Sequence, residues 1–123
     1  MATQIVIING DRVLVDNSFG IDWADKGSSM PDIPNTVHAV IWNNLVGQNE
    51  IQNKDASTGM MTGNTNLNAT SDAVGSTTIA ALLTWAETRK GQIETAVTAF
   101  ETAVANGTAK DGETWVDYDP NYS

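Results

Sequence analysis

The chain has 123 residues, no cysteine and a formal net charge of -9 from 15 acidic and 6 basic side chains. That length suits one domain, or one small domain with an arm, around a modest core. Without cysteine there is no disulfide framework and no thiolate chemistry. The negative surplus argues against a nucleic-acid backbone or an anionic membrane as partner, because both require a basic surface.

Residues 4–8 read as a strand by β-branched content. Asn9-Gly10 follows, the dipeptide of a two-residue type I′ hairpin turn, and Val13 to Val15 return. That turn places Ile8 opposite Asp11 and Val6 opposite Val13. Residues 17–34 hold several Gly, Ser and Pro and read as an irregular loop crossing the sheet, pinned by Phe19, Ile21 and Trp23. Asp22, Asp25 and Asp32 are expected to be solvated. Residues 37–42, VHAVIW, form a third strand, with Val37, Ala39 and Ile41 on one face and His38, Val40 and Trp42 on the other. Asn43-Asn44 and Gly47 mark a turn, and residues 49–53 are a fourth strand that pairs with the third.

From 56 to 71 there is no charged residue. Gly59, Gly63 and repeated Asn and Thr argue against a helix or a regular core strand. The segment reads as a loop or, preferably, an extended arm that orders on a neighbour, gripping by Met60, Met61 and Leu67. Residues 77–106 carry the one long helical pattern: Ile79, Leu83, Ala86, Ile93, Val97, Phe100 and Val104 trace a stripe. Ser76 or Thr77 caps its start and Asn106-Gly107 ends it. After a turn at 110–113, Trp115 and Tyr118 either add a short strand or dock the tail, and Pro120 ends regular structure. The expected fold is thus α+β. A β-rich domain at 1–55 holds a small antiparallel sheet of two hairpins. A polar arm or loop at 56–76, a long helix at 77–106 and an acidic aromatic tail at 107–123 follow.

In heptads, Leu83, Lys90, Val97 and Val104 occupy a, and Ile79, Ala86, Ile93 and Phe100 occupy d. Arg89 at g would meet Glu94 of another copy in a parallel bundle. The alternative is that the stripe packs on the chain's own sheet, widened by Leu82, Ala96 and Ala103. The two can coexist. The first makes Ile79, Leu83, Arg89, Ile93, Glu94, Val97, Phe100 and Val104 interface residues of a homo-oligomer, a trimer among its options.

Strands one and three are apolar on both faces, whereas a sheet with one solvated face alternates with polar residues. One helix covers one face. The other must be covered by the 17–34 loop, the C-terminal tail or another protein. Trp23, Trp85 and Trp115 have no evident place in so small a core, which adds Trp85 and Trp115 to the expected interface.

Catalytic and cofactor signals are absent. The lone His38 sits mid-strand without a nucleophile to activate. There is no phosphate loop, no serine elbow and no histidine pair for a transition metal. Asp117, Asp119 and Asn121 open like a calcium loop but lack its glycine and closing glutamate. A solvated acidic tail is the plainer reading. No enzyme activity, cofactor or metal is expected. The stretch MATQIVIING has no basic start or small-residue cleavage site, so no secretory leader is expected, and no run of about 20 apolar residues reads as a membrane span.

The N-terminal hairpin, the Pro-flanked VHAVIW strand, Gly47 and the Glu50-Ile51 pair resemble small tail-associated proteins of tailed bacteriophages, whose pattern runs close to "hAvqW…G.iE". The likeness covers residues 5–52. It implies a virion tail component near the fibre or baseplate, made in the host cytoplasm and partnered by other phage tail proteins. The main alternative is a tail-fibre assembly chaperone absent from the finished particle. A small catalytic or calcium module and an acidic inhibitor of a host protein stand further off.

Overall fold

The computed structural model describes residues 4–16, 19–24, 30–43 and 46–122, with only the backbone of Phe19. Among these, six antiparallel strands form one sheet in the order β3-β2-β1-β4-β5-β6, a two-stranded ladder β7-β8 follows, and one long helix completes an α+β fold. The strands are β1 (Gln4–Ile8), β2 (Arg12–Val15), β3 (Phe19–Asp22), β4 (Val37–Asn43), β5 (Gln48–Lys54), β6 (Met61–Asn66), β7 (Ala73–Val74) and β8 (Thr77–Thr78). Helix α1 is Ile79–Ala105, and a short 3-10 helix spans Trp115–Tyr118.

The first hairpin forms, but its register is one residue away from the expected one. Ile5 faces Val15, Ile7 faces Val13 and Ile8 faces Arg12, so Val6 lies opposite Leu14 rather than Val13. A type I′ turn needs positive φ at both central residues. Here Gly10 alone supplies it, at 82°. The Asn9 side chain is committed elsewhere, donating to the Pro34 and Val37 carbonyls at 3.2 and 3.1 Å. The expected register would set Ile7 opposite Arg12. The observed one lines up Ile5, Ile7, Val13 and Val15 on one face, each at most 1% exposed. Side chains alternate with period two, so burial chooses between registers that differ by one residue.

Cross-strand pairs extend that buried face. Ile21 sits beside Val13, Val40 beside Ile7, Trp42 beside Ile5 and Ile51 beside Val40. A register shift between Val37 and Ala39 disturbs the alternation of β4, and Val37 joins Val40 and Trp42 in the core cluster. The expected grouping of Val37 with Ala39 and Ile41 is therefore corrected.

Two segments expected to be irregular are strands. Phe19–Asp22 pairs with β2 instead of crossing the sheet. Met61–Asn66 pairs with β5, so much of the expected arm is the sixth strand. Its hairpin loop is closed by Asp55, whose Oδ1 accepts from the Ser57 and Thr58 amides at 2.8 and 3.1 Å, and by Gly59 at φ 74°. Asn17, Ser18, Asp25, Gly27, Ser28, Ser29 and Asn44, which entered the loop and turn expectations, lie outside the described residues.

Leu67 and Val74, both buried in the core, carry the chain from sheet to helix. Gly75 turns β7 into β8 at φ 63°, and a Cβ there would sit 2.6 Å from Pro34 Cγ, so only glycine fits. Thr77 is spent on the β7-β8 ladder, and the N-cap falls to Thr78, which accepts from the Ala81 amide at 3.2 Å. At the other end Gly107 (φ 68°) closes a Schellman motif, with Thr108 N–H donating to Ala103 and Gly107 N–H to Val104.

Helix α1 docks on its own sheet against β1 and β2. Its buried residues are Ile79, Leu82, Leu83, Ala86, Arg89, Ile93, Ala96 and Ala103. Arg89 therefore does not meet Glu94 of another copy. It is fully buried, and its Nη2 donates to Asp119 Oδ2 at 2.7 Å, both side chains being 0% exposed. Glu94 stays exposed beside Lys90, 3.9 Å away. The tail is accordingly docked through Asp119 and its aromatic residues, while Asp111 and Asp117 stay exposed. Trp115 packs against the core, the Tyr118 ring meets that of Phe100 at 5.6 Å with the planes tilted by 54°, and Asp117 accepts from the Thr114 amide. Trp23 and Trp85 also pack at the margin of the core, so the three tryptophans are housed within one chain.

Breaking one half of a buried ion pair strands the other charge. Asp119→Ala should cost about 3–5 kcal/mol, while Arg89→Met with Asp119→Leu should recover most of it; urea unfolding reads both.

Burial pushes the Asp119 carboxyl up, but the Arg89 hydrogen bond, the Asn121 amide and the Arg89 charge pull it further down, to a net value below the ordinary one. Backbone amides likewise lower Asp55 and Asp72, and Glu113 with help from Tyr118. A carboxyl depressed in the folded state contributes stability above its unfolded value of about 4 and loses it as pH falls through the folded value. The urea midpoint should therefore hold near neutrality and drop below about pH 4, less steeply in Asp119→Asn.

Candidate interaction surface

The sheet has two unlike faces. The core cluster draws its sheet residues from the face toward α1. On the opposite face two cross-strand rows can be followed. One runs Gly20, Leu14, Val6, Ile41, Glu50, Asn66 and the other Asp22, Arg12, Ile8, Ala39, Gln52, Asn64. Val6, Ile8, Leu14 and Ile41 are half-buried there, while Ala39 is buried. Leu14 lies beside Gly20, and a Cβ there would meet Leu14 Cδ2 at an ordinary contact distance of 3.6 Å.

The elements expected to cover this face are occupied elsewhere. The 3-10 helix of the tail packs on α1. Trp23 and Ile33, which flank the undescribed part of the 17–34 segment, pack against the core. Four aliphatic side chains on β1, β2 and β4 thus form an apolar strip without a described covering element. Arg12 and Asp22 border it on one side and Glu50 and Gln52 on the other.

Beyond Glu50 the sheet becomes polar. The Asn64 amide donates to Glu50 Oε2 at 3.3 Å on this face, and the Asn53 amide donates to Thr65 Oγ1 at 3.0 Å on the other. All six residues of β6 are exposed, Met61 at its start by 52%, and so is Met60 just before it (70%).

The expected interface residues scatter. Ile79, Leu83, Arg89 and Ile93 are sealed inside the chain's own core. Trp85, Val97 and Trp115 are partly buried against it, and Phe100 is half-covered beside Tyr118. Glu94 and Val104 remain exposed. Of the surface residues that do come together, Val6, Ile8 and Ile41 belong to the strands with two apolar faces; Leu14, on β2, lies outside that argument.

His38 is half-buried at the irregularity of β4, where its carbonyl accepts from Asn9 N–H at 2.9 Å. Asp119 is taken by Arg89 and by the Asn121 amide, so the carboxylates of the calcium-like stretch are engaged within the fold. Among the described residues no three His, Cys, Asp or Glu side chains gather as metal ligands, and no helix is long and apolar enough to cross a membrane. An open groove along α1 is lined by Gly91, Glu94, Thr95, Thr98 and Ala99, all exposed. No protein family, curated protein or solved structure matches the chain.

The difference between the faces is measurable. Ile7→Ala, on the core face, should cost roughly 2–5 kcal/mol. Ile8→Ala, next in sequence on the half-buried face, should cost about 1 kcal/mol. Equal losses in urea unfolding would contradict this division of the sheet.

Proposed function

We propose that this chain is a structural or adaptor subunit of a bacteriophage tail, near the fibre or baseplate, that works by protein–protein contact and carries out no catalysis. The observation that carries the reading is the strip Leu14–Val6–Ile41 with Ile8, which lies opposite the helix with no described element over it. Aliphatic residues on the outer face of a sheet gain by burial at about 25 cal/mol per Å², so the strip favours life in an assembly. The bordering Arg12, Asp22 and Glu50 give such a contact orientation more than affinity. The resemblance of residues 5–52 to small tail-associated proteins supplies the kind of assembly. The net charge of -9 fits protein partners better than nucleic acid or an anionic membrane.

The same strip would serve a tail-fibre assembly chaperone, and the difference lies in whether the chain stays. Quantitative mass spectrometry of purified particles should find it at a fixed stoichiometry with other tail proteins. Replacing Val6 and Ile41 by Glu should leave the chain folded but remove it from particles. Association with fibre proteins in the lysate, with absence from particles, would favour the chaperone. Normal incorporation of the folded double variant would overturn the strip as the docking surface.

A further inference from the structure

The sequence holds two Asn-Gly steps, Asn9-Gly10 and Asn106-Gly107. Asparagine before glycine is open to an intramolecular reaction. The glycine nitrogen loses its proton and attacks the asparagine Cγ. A five-membered succinimide closes, and the side-chain amide nitrogen leaves as ammonia. One water then opens the ring at either carbonyl. The product is aspartate, or isoaspartate when the main chain runs on through Cγ. Water is the only co-reactant, and nothing is oxidised or reduced. Glycine favours the attack because no side chain crowds its nitrogen and its backbone turns freely.

The fold treats the two steps differently. Asn9 is half-buried just after β1. Its N–H donates to the His38 carbonyl at 2.9 Å, and its side-chain amide donates to the Pro34 and Val37 carbonyls, 25 and 28 positions away. Those bonds tie the amide to the sheet and part only when the sheet opens. Asn106 is exposed and caps the C-terminus of α1. Its N–H donates to the Thr102 and Val104 carbonyls, and Gly107 N–H donates to Val104 at 3.1 Å. In this cap Asn106 ψ is -2°. Tetrahedral geometry then sets the Gly107 nitrogen about a third of a turn around the Cα–C bond from the Asn106 Cβ. The ring closes only after that bond rotates. Rotation breaks bonds of the last helical turn alone, and last turns fray while the domain stays folded.

We propose that Asn106 is a site of spontaneous deamidation in the folded protein, reached by fraying of the last turn of α1, and that the fold shields Asn9 from the same reaction. The product acts at the root of the tail. Gly107, at φ 68°, ends the helix and leads into the segment that Asp119 fastens to Arg89. Isoaspartate inserts one extra main-chain carbon at that root. Either product also sets a carboxylate at the negative end of the helix dipole, and the last turn has no basic side chain to answer it. The reaction runs one way, so loosening of the helix end and the tail accumulates with the age of the molecule. The site stands whether or not the chain belongs to a phage tail.

The whole chain is held in warm, mildly alkaline buffer, and samples are digested for peptide mass spectrometry. Asn106 should convert to the acid, with isoaspartate confirmed by enzymatic methylation, while Asn9 stays an amide. In denaturing urea the two should convert at similar rates, because the fold alone separates them. Thr108→Val deletes the Oγ1 bond to the Ala103 carbonyl at 3.2 Å. It should speed conversion of Asn106 by about fivefold, the factor an ordinary hydrogen bond is worth, and leave Asn9 unchanged. Trypsin should cut after the exposed Lys110 faster in the converted fraction than in the fresh protein. Asn9 converting as fast as Asn106 in the folded chain would overturn the proposal. So would an Asn106 that stays intact in the folded chain over a period that exhausts it in urea. Equal tryptic cleavage of fresh and converted protein would overturn the effect on the tail.

Discussion

One helix about 10 Å wide cannot cover a sheet whose strands lie about 4.8 Å apart for more than two or three strands. Here α1 rests on β1 and β2, and Leu67 and Val74 extend the core beside it. Everything else about the surface depends on that limit. The helix-facing row from Ile21 through Val13, Ile7 and Val40 to Ile51 is sealed. The row behind it is not, although its residues on β1 and β4 are nearly as apolar. β6 lies three strands out from β1 and is left exposed on every residue.

The buried Arg89–Asp119 pair completes the same arrangement. A charged side chain in the middle of a helix's buried face is costly unless it is paired. The partner comes from a position 30 residues away, close to the last described residue. The pair ties the tail across α1, with Trp115 on the core and Tyr118 on Phe100. The tail thereby lies on the helix, and none of the described elements beyond the sheet lies over its far side. Loss of one salt bridge would release an aromatic strap as well as expose a cation.

Much of the architecture could be read along the chain. The antiparallel strands around Val6 and Val40, the helix with its glycine stop and the excess of apolar side chains on two-faced strands all follow from local periodicity. The misreadings share a cause. Asn9-Gly10 reads as a two-residue turn only while Asn9 is free, and it is held by carbonyls 25 and 28 positions away. Arg89 reads as a seam charge because nothing nearby marks Asp119 as its partner. Residues 61–66 read as an arm because Asn and Gly are poor strand formers and no apolar residue recurs to mark a buried face, yet β5 supplies a template for pairing and Asp55-Ala56-Ser57-Thr58-Gly59 supplies the turn. For the interaction surface, Val6, Ile8 and Ile41 were visible as surplus apolar residues, but the face they share was not.

By itself the sequence determined the kinds of element, their order and the surplus of aliphatic side chains, because these depend on residues a few positions apart. Tertiary structure alone decided which register β1 and β2 adopt, which face of the sheet α1 takes and where Arg89 finds its counter-charge. Those choices turn on burial summed over strands and tail segments distant in sequence, and a one-residue slip reverses every side chain in a strand. Among the described residues, the half-buried strip on the far face and the exposed residues of β6 are what remains once that burial is satisfied.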